Sequence, residues 1–223
     1  MQPEKSIPTQ TPMTKPIQDT TEPVLPLKSK QSGDGWKSII STILILISAP
    51  LLAVVLSSYV FQSYRVDGES MESTLQHNDR LIIWKFSKTW SELTNKPYTP
   101  ERGDIVVFTK AELLEPSGEP KKLIKRVIGL PGDRVVVKDN RITIYNVEHP
   151  EGFNPDQGQS FSDGIAEITE GNLEVQVNEG ELFVCGDNRP NSLDSRFFGV
   201  IKSQDVKGST AYRIAPLSNT KRF

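Results

Sequence analysis

The chain has 223 residues, 36% of them hydrophobic, a length that suits one domain with appendages, and its formal net charge is −2. That balance excludes both a basic nucleic-acid surface and a strongly acidic one. A single cysteine, Cys185, excludes an intrachain disulfide framework, and two histidines, His77 and His149, are too few for a histidine-rich metal site.

Residues 1–37 are rich in Pro, Thr, Gln, Ser and Lys. Such a segment cannot bury enough apolar surface to offset its ordering entropy, so it is expected to be a disordered tail. Residues 38–61, SIISTILILISAPLLAVVLSSYVF, carry no charge. As a helix this run spans about 35 Å, enough to cross a bilayer, and the single proline, Pro50, is tolerable there. A cleaved signal peptide would have a shorter apolar core nearer the amino terminus, a buried core helix would show polar positions, and a surface helix would have a polar face. Lys28, Lys30 and Lys37 precede the run and only Arg65 closely follows it. The excess of positive charge puts the amino-terminal side in the cytoplasm and everything from about Gln62 on the opposite, trans side of the membrane.

From Tyr64 onward the signals are those of strands, and no long amphipathic helix follows the anchor. Short β-branched runs cover residues 80–86, 104–108, 122–130, 133–138 and 141–146, separated by turn residues such as Pro131-Gly132-Asp133 and Asp139-Asn140. LEVQV (173–177) and ELFVC (181–185) flank Asn178-Glu179-Gly180 and read as a hairpin. Residues 209–216 read as a closing strand. The expected fold is mainly β, largely antiparallel and barrel-like. Residues 109–122 and 147–172 break the rhythm and read as loop insertions in a trans-side domain spanning 62–223.

The stretch GESMESTL, residues 68–75, sets Ser70 among acids that cannot activate it. A nucleophilic serine needs a base. His77 precedes the turn-like Asn78-Asp79, and His149 precedes Pro150 within an insertion, so neither is well placed as that base. The G-x-S-x-G elbow is absent, as is S-x-x-K around Ser70. A lysine can serve only if burial lowers its proton affinity. Most lysines here lie in turns, tails or loops, but Lys125 sits between Leu123-Ile124 and Val127-Ile128 in an apolar strand. The pattern alone favours a snorkelling lysine on an edge strand, with a buried stem and a wet amine. The triplet Arg102-Gly103-Asp104 leads straight into a strand, which disfavours an adhesion motif. Cys185, in an apolar strand, reads as a small core residue.

Four blocks, GESMESTL (68–75), RGDIVVF (102–108), KRVIGLPGD (125–133) and GDNRPNSLDSRFFGVI (186–201), stand in this order behind an amino-terminal anchor. Together they resemble type I signal peptidases, membrane-anchored serine proteases with a Ser/Lys dyad. The resemblance covers about Ser38 to Pro216, outside the insertions. It implies the signal-peptidase β fold behind one transmembrane helix, Ser70 as nucleophile and Lys125 as general base. Ser192 matches the serine that orients the lysine amine, and Asp194 and Arg196 match a structural ion pair. Met71 matches a residue lining the substrate cleft, and the Ser70 backbone N–H would be an oxyanion donor. Gly68 supplies no side-chain second donor. No metal or cofactor is implied, and the partners implied are signal-peptide-bearing preproteins and the lipid bilayer, not nucleic acid. The membrane is either a plasma membrane or an equivalent internal one. Ser/Lys repressor autoproteases would need a DNA-binding helical module that the tail and anchor do not leave room for. Ser73 departs from the family's usual proline, which either loosens the turn after the nucleophile or replaces its stiffness with a side-chain hydrogen bond. The alternative function is a catalytically weakened homologue or a non-enzymatic membrane-tethered β module.

Overall fold

The structure, a computed structural model, describes residues 35–94, 98–158, 164–166, 168–216, 218 and 220–222. The tail expected over 1–37 therefore lies outside the described residues except for 35–37, which are helical. Helix α1 runs Gly35–Val55 and continues as a π-helical turn, Leu56–Val60. It includes Gly35, Trp36 and Lys37, three residues ahead of the uncharged run. None of its side chains is buried, and Pro50 sits inside it. The 26 residues Gly35–Val60 form one span apolar enough to cross a membrane.

Phe61 opens the first strand rather than closing the anchor. The chain then runs β1 (Phe61–Arg65), β2 (Arg80–Trp84), α2 (Phe86–Thr94), β3 (Ile105–Leu114), β4 (Pro120–Gly129), β5 (Arg134–Lys138), β6 (Arg141–Tyr145), β7 (Leu173–Gln176) and β8 (Glu181–Cys185). Helix α3 (Ser195–Phe198), β9 (Ile201–Lys202), β10 (Val206–Ala215) and β11 (Lys221–Arg222) complete it. The larger sheet has the order β1-β2-β10-β3-β4-β8-β9, with β11 on β10; the smaller is β6-β5-β7. Each of these pairings is antiparallel. The mainly β, antiparallel expectation holds.

Three local expectations change. Strands β7 and β8 do not form a hairpin. Leu173–Gln176 pairs with Val137–Arg134 in the small sheet, while Glu181–Cys185 belongs to the large one. The turn through Gly180, at φ 76°, carries the chain between sheets instead. Residues 109–122 are not a loop: β3 and β4 continue outward as a paired arm, Thr109 opposite Lys122 and Lys110 opposite Lys121, closed by Glu115–Glu119. The arm is mostly exposed, so its polar side chains carry no buried-face pattern from which strands could be read. Phe86, expected in a strand, instead begins α2.

The β5–β6 hairpin follows its turn chemistry. Asp139 and Asn140 take φ 51° and 60°, the left-handed pair a two-residue turn needs. Strand β3 is buried on both faces where it crosses the large sheet. Ile105 and Val107 join Val66, Met71, Leu75, Leu81 and Ile83, while Val106 and Phe108 join Val127, Leu182, Val184, Ile201 and Val206. A third cluster, including Ile128, Val135, Val137, Phe183 and Cys185, joins the sheets.

Candidate active site

Residues 66–79 form the connection between β1 and β2. It is pinned at its neck where Val66 and Asp79, and Asn78 and Val66, exchange backbone hydrogen bonds of 2.9 Å. Inside this connection the chain makes a tight turn, with Leu75 N–H donating to Met71 C=O at 2.8 Å. Met71 and Leu75 point into the core and hold the turn down, leaving Ser70 on its outer side.

Lys125 lies on β4 opposite Val106 of β3, in the centre of the large sheet. Its side chain is 2% exposed, and its Nζ lies 2.6 Å from Ser70 Oγ across 55 residues of sequence. The amine also donates to Ile124 C=O at 3.0 Å. Burial holds Lys125 down to about 8 from the ordinary 10.5. Asp194 opposes this most strongly, with smaller raising contributions from Cys185 and Asp187. Of the two sequence-level readings of Lys125, the wet snorkelling amine does not describe this geometry.

Ser70 and Lys125 open onto a cleft of about 580 Å³, walled by Tyr64, Val66, Leu81, Val107, Leu123 and Ile124, with Leu193 and Asn191 at its edge. Arg65, Asp67, Glu115, Lys121 and Lys122 give it a mixed-charge rim. The Ser70 N–H donates to no acceptor among the described residues, whereas the Gly68 N–H donates to His77 Nδ1 at 3.2 Å. Met71 does not line the cleft: it is 1% exposed in the cluster beneath Ser70, backing Leu81 and Val107.

The block 186–201 wraps the nucleophile from the other side. Asn188 N–H donates to Ser70 C=O at 3.1 Å, and Asn188 Nδ2 donates to Glu69 C=O at 3.1 Å. Gly186 is required by contact: a Cβ there would sit 2.4 Å from Ser70 O and 2.2 Å from Ser192 Oγ. Asp194 is fully buried, caps α3 through Arg196 N–H, accepts from Gly186 N–H at 3.0 Å and pairs with Arg196 Nε at 2.8 Å. Ser192 differs from its expected place. Its Oγ is buried against Gly186 without a hydrogen-bond partner among the described residues, and the Lys125 amine donates to Ile124 C=O instead.

Residues that sequence reasoning passed over complete the frame. Arg126, beside Lys125, makes a buried two-pronged contact with Asp187, Nε to Oδ1 at 2.8 Å and Nη2 to Oδ2 at 2.6 Å, and its Nη1 donates to Gly103 C=O. The signal was available: an arginine amid Ile124 and Ile128 needs a carboxylate once buried. Arg189, also buried, grips Asp156 with both Nη atoms. Arg102 pairs with Asp133 at 2.8 Å, which gives the Arg-Gly-Asp triplet a structural role. Burial pushes the Cys185 thiol up and keeps it neutral.

A family model described as signal peptidase, peptidase S26, matches residues 39–215. The chain is similar to signal peptidase I S of Bacillus subtilis, 30% identical over 188 residues, covering 83% of this chain and 94% of that one. Signal peptidase I of Bacillus amyloliquefaciens is 31% identical over 199 residues, 88% and 99% of the two chains. A probable signal peptidase I-1 of Synechocystis is 35% identical over 187 residues, 82% and 86% of the two. Among solved structures, a signal peptidase I from Enterococcus faecalis is 31% identical, covers 49% of this chain and 95% of its own, and superposes with a TM-score of 0.34.

Proposed function

This chain belongs to the signal peptidase family, peptidase S26, and is a serine endopeptidase; from that premise we propose that it removes amino-terminal signal peptides from exported preproteins with Ser70 and Lys125 as its dyad. The observation that carries the assignment of residues is the 2.6 Å approach of Lys125 Nζ to Ser70 Oγ with the amine out of water. Neutral Lys125 accepts the Ser70 proton as Oγ attacks the carbonyl carbon at the cleavage point. The Ser70 N–H, with no other acceptor among the described residues, donates to the oxyanion. As the C–N bond breaks, the lysine proton passes to the departing amine, which becomes the amino terminus of the mature protein. The signal peptide stays as the acyl group on Ser70 until a water, deprotonated by Lys125, releases it. Asp194, held by Arg196, is the buried charge that keeps the amine from becoming too weak a base.

The bilayer is the second partner in this reading. Helix α1 anchors the chain with its amino terminus cytoplasmic and the catalytic domain on the trans side. Lys28, Lys30 and Lys37 ahead of the span support that orientation. Phe61, Trp84, Phe86 and Trp90 form a row of ring contacts at the end of the span, edge-on, tilted and stacked in turn, with centroids 5.0 to 6.0 Å apart. Lys85 Nζ and Thr89 Oγ1 tie α2 to the carbonyls of Ser58 and Tyr59. Amphipathic rings in such a place suit a headgroup region. Ser70 lies nine residues past Phe61, no more than about 30 Å of extended chain. The nucleophile is thus tethered where a membrane-bound substrate emerges, which raises its effective concentration.

The test is cleavage of a purified preprotein by the detergent-solubilised chain. The wild type releases a new amino terminus at one site, and Ser70→Ala reduces the rate by at least about 10⁴-fold while remaining folded. Cleavage that survives Ser70→Ala would remove the serine from the mechanism, and no cleavage by the wild type would favour the non-enzymatic β module.

A further inference from the structure

We propose that the described part of the insertion, residues 147–158, 164–166 and 168–172, is a brace for the nucleophile turn and that Asp156 is its positioning residue, acting on Ser70 through Arg189. This rests on Ser70 being the reactive serine. The insertion lies outside the motif blocks, yet it is docked against two of them. Asp156 receives both Nη atoms of Arg189, whose guanidinium is fully buried, and Thr169 Oγ1 accepts from the same group at 2.7 Å. Arg189 Nε in turn donates to Gly186 C=O at 3.0 Å. Gly186 is the residue packed on Ser70 O, and Asn188, next to Arg189, donates its N–H to that same oxygen. Asp156 therefore reaches the nucleophile's own carbonyl through Arg189 and then either Gly186 or the adjacent Asn188.

Two further contacts run the same way. Ala166 N–H donates to Asp187 C=O at 3.0 Å, and Ser73 Oγ donates to Gly164 C=O at 3.3 Å. Gly164 approaches so closely that a Cβ would lie 2.6 Å from Thr74 Oγ1. Where the resembled family usually carries proline, this chain ties Ser73 to the insertion. A buried guanidinium cannot go without its carboxylate, so the insertion and the block 186–189 hold one another in register. Small displacements of a nucleophile cost rate steeply, so register at Ser70 is the quantity the brace controls.

The experiment uses the full chain in detergent and a probe too small to need the cleft. With p-nitrophenyl acetate, Ser70 Oγ forms the acyl bond, nitrophenolate leaves, and the serine proton goes to Lys125. Acetylation of Ser70 is followed by mass spectrometry, with Ser70→Ala as blank, well below each variant's melting transition. Asp156→Asn is expected to slow acetylation about tenfold and Ser73→Ala about threefold, with preprotein KM unchanged and kcat lowered in parallel. The exposed Ser73 position guards against misfolding. A purely structural role would lower melting temperature and leave acetylation per folded molecule at the wild-type rate, and that result overturns the brace alone. Absence of Ser70 acetylation in the wild type would overturn the serine reading with it.

Discussion

Lys125→Met is expected to abolish preprotein cleavage, lowering kcat/KM by at least about 10⁴-fold, while making the folded protein more stable at neutral pH. The activity loss follows from the geometry. Among the described residues no other amine or imidazole makes a hydrogen bond to Ser70 Oγ, and the Lys125 amine sits on it at 2.6 Å. The stability gain follows from burial. The folded chain holds this lysine at about 8 against 10.5, so between those values the unfolded chain binds one more proton. The resulting penalty is fully present below pH ~8 and fades as the pH rises toward 10.5, reaching about 3 kcal/mol at neutral pH. Methionine fills the same space without the charge but leaves Ile124 C=O undonated, so the net gain is expected to be about 1–2 kcal/mol. Chemical denaturation at pH 7 and at pH 10 measures it: the variant's advantage should shrink at the higher pH. A variant less stable than wild type at pH 7 would mean that the amine is not desolvated.

Asp187→Ala is expected to cost about 3–5 kcal/mol of stability, more than a typical core truncation of that size. The substitution takes from Arg126, 3% exposed, the two-pronged carboxylate contact that balances its buried charge, while its Nη1 still donates to Gly103 C=O. Arg126 is the residue after Lys125, and Asp187 follows Gly186, so the ion pair staples the strand carrying the base to the block that contacts the nucleophile. Urea unfolding measures the loss, and activity should fall with it. A companion Arg126→Met/Asp187→Leu pair, which removes both charges, should recover most of the stability, since the cost lies in the unpaired charge. Equal stability of Asp187→Ala and wild type would place the pair in water.

Much of the fold is legible in the chain because its core strands are β-branched and bounded by strong turn residues. Asp139-Asn140 is the clearest case, where residue type and backbone agree. What misleads is pairing. Leu173–Gln176 and Glu181–Cys185 are consecutive strands with a glycine turn, and local pattern makes them a hairpin. Their partners, β5 and β4, are chosen by burial of Val177 and Phe183 in the cluster between the sheets, a contact of long sequence separation. Helix α2 is short, and Phe86 and Trp90 look like strand residues until they stack four apart on one side. At the site, Lys125 stands out as a lysine within an apolar strand, whereas Ser70 is marked only by its place among four blocks. The role of Ser192 is where pattern and geometry part: its hydroxyl packs on Gly186, and the backbone of Ile124 takes the amine. The insertion 147–172 carries no periodicity, so its link to the nucleophile through Asp156 and Arg189 is visible only in three dimensions.

The pH dependence of kcat/KM for preprotein cleavage tests the central claim, that Lys125 is a desolvated base acting on Ser70, most directly. The deprotonated amine is the active form, so activity should rise tenfold per pH unit at acidic pH and level off through a midpoint near 8. A midpoint near the ordinary lysine value of 10.5, or an ascending limb that persists unchanged in Lys125→Met, would contradict it.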